Sequence, residues 1–131
     1  MHTLDLINDE HVELLTLSAR IRVKSEKKNL SDEEKSDLVS SIAHLLTIVE
    51  QHFADEEQMM KEMNYFDYDG HTAAHNGFLD MAKKLFATLE YDISYLPDVA
   101  RIFDNWITTH IEIETFLFVQ VRKQVERQQY K

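Results

Sequence analysis

Residues 52–78 read HFADEEQMMKEMNYFDYDGHTAAHNGF, and two spacings inside them constrain the fold more than anything else in the chain. Glu56 follows His52 by four positions, and His75 follows His71 by four. On a helix, residues four apart sit one above the other on a single face. Between the pairs, Asn64, Asp67, Asp69 and Gly70 carry the chemistry of a turn. Two helices running back to back across that turn would point three imidazoles and a carboxylate into one space. Such a space suits a metal ion, provided the rest of the chain supplies the other walls.

The walls are legible in the apolar periodicity. Ile7, Leu14, Ser18 and Ile21, with His11 in register, form an inward seam on a first helix that Asn8 or Asp9 is expected to cap. Lys24 to Asn29 reads as a charged loop. Ser31 then opens Ser-Asp-Glu-Glu, a capping box with Glu34 at its third position. A second helix follows through Leu38, Ile42, Leu45, Val49, His52, Glu56, Met59 or Met60, and Met63. The third carries His71, His75, Phe78, Ala82, Leu85 and Leu89 on one stripe. Tyr91 to Asp98 is the next connection, with Pro97 expected in the first turn of a helix. The fourth seam is Val99, Phe103, Trp106, His110, Glu114, Leu117, Val121 and Val125. Two glycines and one proline in 131 residues suit long helices better than the tight turns of a sheet. No repeat, low-complexity segment or linker divides residues 1–131, and that length fits one domain with a substantial core. The expected fold is all-α, an antiparallel up-down four-helix bundle.

Each seam carries histidine: His11, His52, His71 with His75, and His110. Two seam positions are carboxylates, Glu56 and Glu114. A lone buried histidine is commonly a hydrogen-bonded core residue, but five on four facing seams are not explained that way. A buried carboxylate without a partner is costly, and one or two dications between the helices would provide one. The chain has no cysteine, which removes disulfides, thiolate zinc sites, iron–sulfur clusters and cysteine nucleophiles. Histidine with Asp and Glu suits iron, manganese or zinc. His2, near the terminus, and His44, off the second seam, read as ordinary. Met59, Met60 and Met63 read as core filler, and Phe53, Phe78, Trp106 and Phe118 as packing residues. Glu57 lies about 100° around the helix from Glu56 and is expected to face solvent.

Other classes lack support. The net charge of −10 disfavours nucleic acid and anionic membrane surfaces. No apolar run approaches membrane-spanning length. The opening MHTLDLINDEH has no basic region followed by an apolar core, so a cytoplasmic protein is expected. There is no His-Glu-x-x-His, no Glu-x-x-His, no glycine-rich phosphate loop and no Ser/His/Asp set that spacing alone supports.

The ordered set resembles the hemerythrins, most closely the single-domain bacterial ones. Its pieces are Ile7-Asn8-Asp9-Glu10-His11, then His52-Phe53-x-x-Glu56-Glu57 with Met60, then Tyr65. His71-x-x-x-His75-x-x-Phe78 and Trp106-x-x-x-His110-Ile111 complete it. The resemblance implies a non-haem di-iron centre with an oxo or hydroxo bridge that binds O2 reversibly, for carriage, storage or sensing. By position, one iron would take His71, His75 and His110. The other would take His11 and His52 and keep a place for O2, with Glu56 bridging both. A sensor would need a protein partner, and an enzyme on the same site (peroxidase, nitric oxide reductase or ferroxidase) is the alternative. One position departs from the pattern. The family places a second bridging aspartate five residues after the last histidine, where this chain has Thr115. Glu114, one residue earlier, lies within about 40° of His110 around a regular helix and is expected to bridge instead. The competing readings are that it binds one iron alone or that the site is under-ligated.

Overall fold

The computed structural model of the chain describes residues 4–129, and for residues 121, 124–126, 128 and 129 the backbone alone. His2 and the side chains of Val121 and Val125, all assigned above, lie outside the described residues. The described elements are α1 (Leu4–Ser25), α2 (Asp32–Glu62), α3 (Tyr68–Tyr91), a short 3-10 turn (Ile93–Tyr95) and α4 (Leu96–Gln129). No strand occurs among the described residues, and no helix is long and apolar enough to cross a membrane.

Cross-helix contacts give the direction of each helix. Ser18 meets Asp104 while His11 meets Glu114, so α1 and α4 are antiparallel. Lys27, just past α1, meets Glu34 while Glu10 meets His52, which sets α2 against α1. Lys83 pairs with Glu50 while His75 meets Glu57, and Phe78 packs on Phe103 while His71 faces Phe118. The result is the antiparallel four-helix bundle that the seams predict.

Helix boundaries follow from burial and local hydrogen bonds. α1 starts at Leu4, ahead of Asn8 and Asp9, so neither caps it. Ile7 is fully buried, and the chain has to be helical there to bring Ile7, His11 and Leu14 to one face. α1 also continues through Lys24 to Ser25, leaving a shorter connection than the charged run suggests. Asn29 closes that connection at φ 60°, a conformation that Asn tolerates. The capping box at Ser31 is present. The Glu34 amide donates to Ser31 Oγ at 3.0 Å, and the Ser31 amide donates to Glu34 Oε1 at 3.1 Å. At the far end Met63 is the C-cap of α2 and only half buried, not a seam residue, and Asn64 turns the chain at φ 51°. Asp69 and Gly70 belong to the first turn of α3 rather than to the connection. At Gly70 a Cβ would meet the Asp67 carboxylate, which would have to swing aside. Pro97 sits in the first turn of α4, as expected.

Among the described residues, two apolar clusters fill the interior. The larger runs from Leu14, Ile42, Leu45 and Phe53 to Phe78, Leu96, Phe103, Ile107 and Ile111. The smaller, at the end that holds the α2–α3 connection, is Ile7, Met59, Met60, Tyr65 and Phe118. The helical register places His11, His52, Glu56, His75 and Glu114 between them. On α4, Trp106 and Leu117 are rim residues, whereas Ile107, Ile111 and Phe118 are buried. A polar staple joins α1 to α4: Ser18 Oγ donates to Asp104 Oδ1 at 2.9 Å, and Arg22 donates to Asp104 Oδ2 at 3.1 Å.

Candidate metal centre

Burial of three histidines and two glutamates in one layer follows from the seams: each occupies a position where the helix would otherwise place an apolar side chain. Glu56 and Glu114 are 0% exposed. Glu56 Oε2 lies 3.1 Å from both His11 Nε2 and His52 Nε2. Its other oxygen, Oε1, lies 3.2 Å from His75 Nε2 and 3.9 Å from His110 Nε2. Glu114 Oε1 contacts His110 Nε2 and lies 3.1 Å from His75 Nε2, while Oε2 lies 3.6 Å from His11 Nε2. The donors therefore form two adjoining groups: His11, His52, Glu56 and Glu114, and Glu56, His75, His110 and Glu114. Both carboxylates belong to both groups.

Within this layer the imidazoles and carboxylates favour one another's charged forms. Burial alone would push the His11 and His75 imidazoles down, but hydrogen bonds to Glu114 and Glu56 outweigh it and raise both to about 9. His110 is raised for the same reasons. Burial would raise Glu56, yet its hydrogen-bonded contacts with Glu114 and the histidines hold it well below the usual carboxylate range. Hydrogen bonding still falls short. His52 Nε2, Glu56 Oε1 and Glu114 Oε2 are buried and have no hydrogen-bond partner. All three are lone-pair donors facing one another, which fits a bound dication and does not fit a self-sufficient polar core.

A family model described as the Hemerythrin HHE cation binding domain matches residues 2–121. The chain belongs to the hemerythrin family. It is similar to the myohemerythrin of Theromyzon tessulatum, at 29% identity over 91 residues, or 70% of this chain and 69% of that one. It is also similar to those of Sipunculus nudus, 30% over 80 residues, and Riftia pachyptila, 31% over 81. This chain spans about 61% of the length of each of these two. No solved structure matches it.

Within this hemerythrin-family site, the position that departs from the expected pattern behaves as its chemistry demands. Thr115 is exposed on the outside of α4, and Glu114 takes the inward place. His71 is not drawn into either donor group. Its ring is buried between Tyr65, 5.2 Å away and edge-on, and Phe118, and its centroid is 6.2 Å from that of His75. Tyr65 is itself pushed up by burial and by the charges of Asp67 and Glu114.

Two carboxylates that the sequence did not assign a role in the site complete the surroundings. Glu10 Oε1 lies 2.8 Å from His52 Nδ1. Burial and a hydrogen bond with Asp55 raise Glu10 to about 7 against the opposing pull of His52. Glu57, expected to face solvent, instead reaches His75 Nδ1 at 3.4 Å because α3 packs alongside that flank of α2. Rings wall the site. Phe53 stacks on His75 at 3.8 Å with parallel planes, and Trp106 stacks on His110 at 4.5 Å. His44 is exposed and remote from the cluster, as expected, beside a surface groove between α1 and α2.

Proposed function

We propose that this chain is a non-haem di-iron protein that binds O2 reversibly and is not primarily an enzyme. His11 and His52 would hold one iron. His75 and His110 would hold the other, with His71, one helical turn before His75, as their third imidazole. Glu56 and Glu114, which belong to both donor groups, would serve both ions. The observation that carries this reading is the division of labour within each carboxylate. Glu56 turns Oε2 to His11 and His52 and Oε1 to His75 and His110, and Glu114 likewise turns one oxygen to each side. A single ion would not need both oxygens of both glutamates directed at two separate pairs of imidazoles.

Ferrous iron would supply the electrons on which O2 binding draws. The chain's own residues do the rest. Imidazoles with two carboxylates keep the site modestly charged, which favours release of O2 over further oxidation. Phe53, Trp106, Ile107 and Ile111, with Leu14 and Val49, line a small apolar crevice against His52 and His110. Apolar walls on that flank offer no hydrogen-bond partner to compete for bound ligand. The resemblance noted from the sequence and the family assignment support O2 as that ligand.

Counting iron in the purified protein, with absorption spectra of the reduced form before and after air, tests the reading. Two irons per chain and a visible band that appears with O2 and disappears on its removal are the expected result. A protein that folds, stays colourless and retains no iron would end it. A di-iron enzyme is the second reading, favoured by Glu114 standing in for the expected aspartate. Sustained turnover of peroxide, nitric oxide or ferrous ion would select it.

A further inference from the structure

Two imidazoles of the cluster have a carboxylate behind them, on the ring nitrogen that faces away from the other donors, and the two supports are unequal. His52 Nδ1 to Glu10 is 2.8 Å, whereas His75 Nδ1 to Glu57 is 3.4 Å. A short bond of this kind fixes the ring's rotation and its tautomer: Nδ1 keeps the proton and donates it, leaving the Nε2 lone pair free. His52 matches that description. Its Nε2 is buried, aimed at the cluster and without a hydrogen-bond partner. His75 does not. Its Nε2 is already engaged, 3.1 Å from Glu114 Oε1 and 3.1 Å from His110 Nε2. An ion arriving at His75 displaces hydrogen-bonded contacts with Glu114 and His110, while one arriving at His52 meets only Glu56 Oε2, 3.1 Å away and not hydrogen-bonded to that nitrogen.

Glu10 also lies against Asp55, an arrangement in which two carboxyl groups hydrogen-bond only by sharing a proton, and Asp55 Oδ1 accepts from Gln51 Nε2 at 2.9 Å. Contacts running from α2 to α1 and back, Gln51–Asp55–Glu10–His52, thus surround one ligand before any metal arrives. We propose that Glu10, by fixing His52, is a positioning residue that makes the His11/His52 half the tighter of the two and the first to be filled. This rests on the di-iron reading above, and it adds an order of loading that the reading does not contain.

The test is an anaerobic titration of the metal-stripped full chain with ferrous ion. The stepwise affinities are measured with ferrous ion, and the histidine ring signals are followed by NMR in a parallel titration with diamagnetic zinc ion, which takes the same donors. At one equivalent, the His11 and His52 signals should be perturbed while those of His75 and His110 remain. Glu10→Ala should weaken the first step by about 10- to 100-fold, the usual effect of removing an outer partner of a metal-bound histidine. Glu10→Gln, which keeps an acceptor oxygen, should recover part of that loss. Glu57→Ala should act on the second step, and more weakly. Perturbation of His75 and His110 first, or of both halves together, overturns the proposal, and this measurement on the unaltered chain needs no variant to fold. Equal weakening of both steps by Glu10→Ala and Glu57→Ala overturns it too. The di-iron reading fails differently, by the unaltered chain showing no second step, and the proposal falls with it.

Discussion

The hairpin α1–α2 and the hairpin α3–α4 bring matching residues to one cavity and hold them by different forces. Each gives a histidine from its first helix, His11 or His75, and a histidine–glutamate pair four residues apart from its second, His52/Glu56 or His110/Glu114. On the α3–α4 side the rings are clamped by aromatic stacking, Phe53 on His75 and Trp106 on His110. On the α1–α2 side His11 and His52 meet edge to face at 4.8 Å, and Glu10 ties down His52. Stacking restrains a ring's plane and keeps water off it, but says nothing about which nitrogen bears the proton. A carboxylate restrains the plane and settles the tautomer as well. Equal donor types therefore need not give equal affinities.

The sharpest way to break this parallel is to remove the shared carboxylates one at a time. Glu56→Ala and Glu114→Ala should each lower iron content by more than the roughly 10- to 100-fold affinity loss expected for an outer partner, measured as metal per chain. Near-equal losses would support two bridges. A loss with Glu56→Ala alone would mean that Glu114 serves one half only. Next in size is the aromatic clamp. Phe53 is 3% exposed and stacks on His75, so Phe53→Ala should cost about 3–5 kcal/mol in denaturant unfolding of the metal-free protein. It should also loosen His75 and leave His11 in place.

pH separates the metal-free from the loaded state. The His11 and His75 pKa values are raised to about 9 from the ordinary 6.5, so the folded metal-free protein binds protons that the unfolded chain releases. That contribution to stability is complete below about pH 6.5 and is lost as the pH rises through 9. Glu56 is shifted the other way, so its contribution is present above about 4.5 and lost as the pH falls below it. Melting temperatures of the metal-free protein should therefore peak in mildly acidic buffer. Metal has to displace the same protons, so iron affinity should instead rise with pH. Smaller effects are expected far from the cavity. Ser31→Ala removes the α2 cap and should cost about 0.5–2 kcal/mol. Thr115→Ala, at an exposed position, should stay within about 0.5 kcal/mol and leave iron content unchanged.

The bundle was legible because four long seams repeat at helical spacing, and the cluster because histidine and glutamate interrupt those seams in register. Glu114 could be chosen over Thr115 from the angle around the helix alone. What spacing could not show lies between helices. Glu57 was assigned to solvent by its angle from Glu56, but a neighbouring helix covers that flank. Glu10 sits beside His11 in sequence yet serves His52 across the hairpin. Asp104 falls at the edge of the fourth seam, and its partners Ser18 and Arg22 are on another helix. His71 shares a face with His75, as four-residue spacing requires, but Tyr65 and Phe118 hold its ring apart from the donor groups. The first helix started early because the burial of Ile7 outweighs the capping preference of Asn8 and Asp9.

Among the described residues, the smaller apolar cluster has five buried members against sixteen in the larger one. It works like a stopper seated on a sealed chamber. Glu56 and Glu114 have no exposure to solvent, so an incoming ion needs a moment when some part of the shell lifts. Among the described residues, the stopper, built around Ile7, Met60 and Phe118, gives up less burial in lifting than the larger cluster would, and local openings favour such regions. Hydrogen exchange in the metal-free protein should be fastest there among the buried segments, and it should slow once the chamber is filled.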